Sequence, residues 1–108
     1  MEAQQFKPYY AVIFTTLLSN NTEGYEETAK KMEALAKTQK GYLGIVSARN
    51  EIGITISYWD SLEAINNWRT NTEHKFAQQK GKSQWYHWYN LKICKVEQEY
   101  EFTKNDEN

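Results

Sequence analysis

The first sustained pattern along the chain is Tyr9 to Leu18, an uncharged run of β-branched, aromatic and aliphatic residues that follows the only proline, Pro8. Proline has no N–H to give to a ladder, which suits the residue before a strand, so the run predicts a first strand. Read with a period of two, its faces are Tyr10, Val12, Phe14, Thr16, Leu18 and Tyr9, Ala11, Ile13, Thr15, Leu17. Ser19-Asn20-Asn21-Thr22 then offers turn and N-cap chemistry, and the apolar positions change to helical spacing at Tyr25, Ala29, Met32, Leu35 and Ala36. Glu23, Glu26 and Glu27 near the start and Lys37 and Lys40 near the end complement a helix dipole, and Gly41 is placed to stop the helix in a left-handed conformation.

Two more strands follow, Tyr42 to Arg49 and Ile52 to Trp59, separated only by Asn50-Glu51, so they must form an antiparallel hairpin. In the second of them Ile52, Ile54, Ile56 and Tyr58 share one face and Gly53, Thr55, Ser57 and Trp59 the other, and the apolar first face is expected to lie under the helices. Asp60 or Ser61 caps a second helix with the stripe Leu62, Ile65, Trp68, Arg69, Thr72, Phe76, which offers Asn71-Thr72 as a place for a break and a new cap and ends near Gly81. Ser83 to Trp88 reads as a bridge, and Tyr89 to Phe102 as a last strand with Leu91 and Ile93 on one face and Cys94 and Val96 on the other. The predicted domain spans 9–102, with polar ends 1–8 and 103–108 expected to fray. The βαββαβ order predicts an α+β, ferredoxin-like antiparallel sheet with both helices on one face, each right-handed half returning beside its start. The other face stays too apolar for water and should meet a second subunit, closing a two-sheet barrel as a homodimer, or a ligand.

Composition narrows the partners. A chain of 108 residues suits one core, and 13 basic against 14 acidic side chains, well mixed, give no field to gather nucleic acid or an anionic membrane. Cys94 is the single cysteine, so no disulfide forms within the chain and no cysteine-rich metal site assembles. The first thirty residues show no leader pattern and no run reaches the roughly 18 apolar residues of a spanning helix, so a reducing, cytoplasmic setting is expected. Asn20-Asn21-Thr22 has the form of a glycosylation acceptor but reads as a turn. Aromatics make up 15%, with four Trp and eight Tyr, a supply of flat surfaces for a core, an interface or a planar ligand.

The segment YWDSLEAINNW (Tyr58 to Trp68), with the run that follows to Phe102, resembles the second half of the antibiotic biosynthesis monooxygenase superfamily. The shared motif is an aromatic closing the third strand, a small acidic-polar cap, a helix alanine, a helix tryptophan, and a last strand of the form K-V-E-x-E-Y-x-F. The resemblance spans Tyr9 to Phe102. It implies a dimeric α+β barrel, and among its members cofactor-independent oxygenases of aromatic polyketides, haem-degrading enzymes and proteins without known activity. In the haem-degrading branch a late histidine of the second helix ligates iron, beside a first-strand asparagine and a helix tryptophan. Aligned on Trp68, those first two positions fall on Gln78 and near Phe14, and an amide is a poor iron ligand, so the resemblance favours chemistry without a bound cofactor.

Two histidines are the candidate acid-base groups. On an unbroken helix of about 100° per residue His74 points to solvent, and only a break at Asn71 turns it inward. His87 lies in the aromatic bridge Trp85-Tyr86-His87-Trp88-Tyr89, at a pocket mouth or packed beneath the helix. Trp68, Trp59, Phe14 and Trp85 are the candidate ligand contacts, with Trp68 orienting a ring. Cys94 reads as a small buried hydrophobe, and no metal-ligand spacing, GxSxG, HExxH or CxxC is present. The expected function is cofactor-free oxygenation of a planar aromatic or polyketide-like molecule. Its rival is a non-enzymatic, stress-related dimer in which the same pocket only sequesters a ligand.

Overall fold

Strand β1 (Tyr9–Leu18) takes a neighbour on each side because it is the most continuously apolar stretch of the chain. In the computed structural model, which describes residues 6–105, it is followed by α1 (Tyr25–Ala36), β2 (Tyr42–Arg49), β3 (Ile52–Trp59), α2 (Leu62–Arg69), α3 (Thr72–Lys80) and β4 (Tyr86–Val96). The sheet order is β2-β3-β1-β4 with every pair antiparallel, a ferredoxin-like α+β arrangement. The expected fraying of the ends lies partly outside the described residues. Contrary to the expectation, neither half returns beside its start: β3 lies between β1 and β2, and β1 between β3 and β4. The two-residue hairpin forces β3 against β2, and β3 then occupies the slot beside β1.

The register decides which face the helices cover. Val12 sits opposite Ser57 and Ile93, Phe14 opposite Thr55 and Leu91, and Thr16 opposite Gly53 and Tyr89. This face carries the core, in which Trp59 is completely enclosed among Val12, Ala36, Ala64, Ile65 and Trp68. The helices therefore cover the Gly53, Thr55, Ser57, Trp59 side of β3, and the isoleucine side faces away from them, the reverse of the expectation. Small and hydroxyl-bearing residues on the covered side leave room for large rings, and Trp59 satisfies its indole N–H on Ser57 Oγ at 2.9 Å.

Helix α1 begins after Gly24 at φ +80 with no side-chain cap, so Ser19 to Thr22 contribute a turn but not the predicted cap. Ala36, Leu35 and Met32 bring its inner face to the core. At Gly41, φ is +90 and an added Cβ would come within 2.5 Å of Ala64 Cβ, so only glycine lets this turn press on the start of α2. The Asp60 N–H donates to Gly41 O at 2.8 Å, locking that contact. Of the two proposed caps, Ser61 performs the role, its Oγ accepting from Ala64 N at 3.0 Å.

Strand β4 starts three residues earlier than expected and ends six earlier (89 − 86 and 102 − 96). Gly81–Trp85 is a π-helical turn, not an extended bridge. Val96 pairs with Tyr9, the first residue of β1 after Pro8, so beyond Val96 there is no neighbouring strand for the chain to join. Residues 97–104 carry on outside the sheet, and Tyr100 and Phe102 are 88% and 86% exposed. No helix is long and apolar enough to cross a membrane, among the described residues.

Candidate functional site

Between the covered sheet face and the three helices lies a cavity of about 840 Å³. Val12, Phe14, Tyr89 and Leu91 form its sheet wall, Ala29 and Met32 its α1 wall, and Trp68, His74, Ala77 and Gln78 its α2–α3 wall. Thr28, Arg49, Tyr25, Tyr86 and Trp85 also line it.

The break at Asn71 builds the central feature. Asn71 Oδ1 accepts from the N–H groups of Glu73 at 3.0 Å and His74 at 3.2 Å, starting α3 as a new helix. The change of phase turns His74, Ala77 and Gln78 toward the cavity and leaves Phe76 69% exposed, so the stripe predicted from Leu62 to Phe76 does not continue across the break. Leu62 is exposed as well. His74 is thus half-buried, not solvated as an unbroken helix requires. Its ring stacks on Trp68 with centroids 4.1 Å apart and planes 14° apart, and Trp68 stacks in turn on Trp59 at 6.0 Å and 25°.

His74 Nδ1 lies 2.9 Å from Trp68 O. A carbonyl only accepts, so this contact places the proton on Nδ1 and leaves the Nε2 lone pair as a base. Burial pushes the imidazole below its ordinary value, the Trp68 carbonyl partly opposes that, and nearby Arg69 adds to the lowering. The ring is therefore neutral near pH 7 and ready to take a proton. Tyr86 moves the other way. Burial, then the adjacent Tyr25, push its phenol well above the usual range, which keeps it a hydrogen-bond donor.

The other predicted residues divide. Phe14 lies edge-on to Tyr86 at 5.5 Å and tilted against Tyr89 at 5.4 Å, in the cavity wall. Trp85 also lines the cavity, buried, its indole N–H donating to Glu23 O at 2.8 Å. Trp59 is sealed beneath Trp68 and supports it from behind without reaching the cavity. His87 is exposed where the β1–β4 register shifts and does not line the cavity, and Cys94 is exposed on the uncovered face, not buried as expected. Sequence reasoning missed Arg49, Tyr86 and Tyr89 as lining residues. Only the register, which sets Gly53 and Thr16 beside them, gives them away. No group of three or more His, Cys, Asp or Glu suited to a metal occurs among the described residues.

Against known proteins, the chain is 50% identical over 100 residues to the Bacillus subtilis (strain 168) protein named Uncharacterized protein YqjZ, covering 91% of this chain and 88% of that one. Among solved structures it resembles SnoaB, a cofactor-independent oxygenase from Streptomyces nogalater, with a TM-score of 0.66 at 10% identity, over 92% of this chain and 100% of that one. A conserved protein from Methanosarcina mazei Go1 matches with a TM-score of 0.69 at 10% identity, over 82% of this chain and 92% of that one. At such identities these likenesses speak for the fold alone. The profile of the antibiotic biosynthesis monooxygenase family matches residues 8–80, and with about two-thirds of its length inside that match the chain belongs to this family.

Proposed function

We propose that the protein binds a planar aromatic or polyketide-like molecule in the cavity and oxygenates it without a bound cofactor, working as a homodimer in the cytoplasm. The observation that carries this reading is the neutral His74 ring, its Nδ1 proton held by Trp68 O and its Nε2 left as a base beside a stacked indole. In such chemistry His74 takes the proton of an acidic ring C–H, the carbanion passes an electron to dioxygen and joins the superoxide through a new C–O bond, and the peroxide's O–O bond then breaks to leave a ring carbonyl and release water. The chain's own work is to orient the ring against Trp68, to exclude water with Phe14, Trp85 and Met32, and to hold that proton. His87 is a weaker candidate because it stands outside the cavity.

Oxygen uptake with anthrone-type and quinol substrates tests the reading. Turnover above buffer is expected, falling about 100-fold or more in His74→Gln and little in His87→Gln. No uptake across the panel by the wild type overturns it. The second reading, sequestration without turnover, is favoured by the cavity's makeup: most of its lining is aromatic or aliphatic, and of its charged residues Glu33, Arg49, Arg69 and Lys82 none is hydrogen-bonded or ion-paired to His74 among the described residues. Stoichiometric binding of the same compounds with no oxygen uptake would establish that reading instead.

A further inference from the structure

Of the cations that line the cavity, Arg49, Arg69 and Lys82, Arg49 is the one held by side-chain hydrogen bonds among the described residues, and it has no ion-pair partner among them. The Arg49 guanidinium donates from Nη2 to Thr16 Oγ1 and, at 3.4 Å, to Tyr25 OH, and its carbon stands 5.8 Å from the centre of the Tyr25 ring. Thr16 is 2% exposed, so the anchor is a buried hydroxyl and not a mobile surface group. The bed beneath it is Gly53, where an added Cβ would come within 2.1 Å of Nη2, so the flat approach exists only because that residue has no side chain. Both ion pairs among the described residues lie elsewhere, Lys31 with Glu27 and Lys37 with Glu33. Glu26 and Glu27 line the neighbouring hollow with Arg49 but stay beyond ion-pair distance from it. Its Nε and Nη1 donors hold no partner among the described residues.

We propose that Arg49 forms an anion subsite and that the cavity's occupant is a planar aromatic acid, whose carboxylate meets Arg49 while its rings run past Phe14 toward Trp68 and His74. This rests on reading the cavity as a site for a planar aromatic molecule, and adds which end of that molecule is charged. A guanidinium fork matches a carboxylate with two parallel N–H donors, and one already held by Thr16 and Tyr25 loses little freedom on binding. The Tyr86 phenol, kept protonated, lies at the same end and hydrogen-bonds Tyr25, which steadies the hydroxyl that accepts from Arg49.

Two ligands with one ring system separate the charge from the stacking: 9-anthracenecarboxylate and 9-anthracenemethanol, titrated by fluorescence against the wild type and Arg49→Gln. The acid is expected to bind the wild type about tenfold or more tighter than the alcohol, and Arg49→Gln to lose that advantage while holding the alcohol unchanged. Raising the salt concentration on the wild type should weaken the acid and spare the alcohol, a readout that does not depend on a variant folding. Equal affinity for both ligands, or an acid indifferent to Arg49→Gln, overturns the anion subsite and leaves the cavity reading standing. Failure of both ligands to bind the wild type overturns the two together.

Discussion

A histidine ring held neutral by burial makes folding sensitive to acid, and the direction follows from its protons. The folded value of His74 lies below the unfolded value of about 6.5, so below that pH the unfolded chain binds a proton the native chain resists. The native ring's advantage is whole above the unfolded value and is lost as pH falls through the folded one. Thermal melts of the wild type should thus drop more between pH 7 and pH 5 than those of His74→Gln, and parallel curves would show that the ring carries no such preference. Trp68 makes a different demand at the same spot. Stacked between Trp59 and His74, it should cost about 3–5 kcal/mol in Trp68→Ala by urea unfolding, and far less in Trp68→Phe, which keeps a flat ring there.

At the scale of the elements, the phase change at Asn71 separates a base facing solvent from a base facing the cavity. Asn71→Ala removes both cap bonds, an expected loss of about 1 kcal/mol, and lets α2 run on into α3 with His74 carried toward water. Asn71→Asp keeps an accepting oxygen and should retain the melting temperature and ligand affinity that Asn71→Ala loses. The sequence announced this break through an N-cap residue inside a helical stripe, yet the stripe from Leu62 to Phe76 looked continuous, because periodicity summed over a whole segment hides a slip in phase. The strands β1, β2 and β3 were legible to the residue from period and turn chemistry, and so was the start of α1, but its end at Ala36 falls short of the Gly41 stop and leaves Lys37 and Lys40 outside the helix. Which face of β3 the helices cover was not, since alternation sorts residues into two rows without saying which row holds the bulk that packs, and here one tryptophan among small residues outweighed three isoleucines. The end of β4 was hidden for a similar reason. Its alternation continues to Phe102, but a strand needs a neighbour, and β1 begins only at Tyr9. Arg49 carried no signal in the sequence because its bed, Gly53, lies across the ladder and not along the chain.

At the scale of the molecule, the uncovered sheet face calls for a partner. Ile52, Ile54, Val46 and Trp88 on that side are each at least 42% exposed, a contiguous apolar surface of the kind that monomers rarely leave in water. The radius of gyration is 16.3 Å against about 13 Å for a compact domain of this length, and residues 97–105 contribute to the excess, carrying Tyr100 and Phe102 into the open. A second copy packed sheet to sheet would cover the isoleucine row and give those two rings a surface to meet. Standard interfaces bury about 1,600 Å² in all, within reach of a four-stranded face plus an arm. Sedimentation should therefore report a dimer at micromolar concentration, with a melting temperature that rises with protein concentration because association stabilises only the folded chain. Ile54→Glu, placed on the uncovered face away from the helix core, should yield folded monomers with unchanged helical circular dichroism. Removing residues 97–105 should weaken the dimer by a smaller factor, since the sheet contact remains. A wild type that sediments as a single protomer, with Ile54→Glu indistinguishable from it, would mean that this face tolerates water after all.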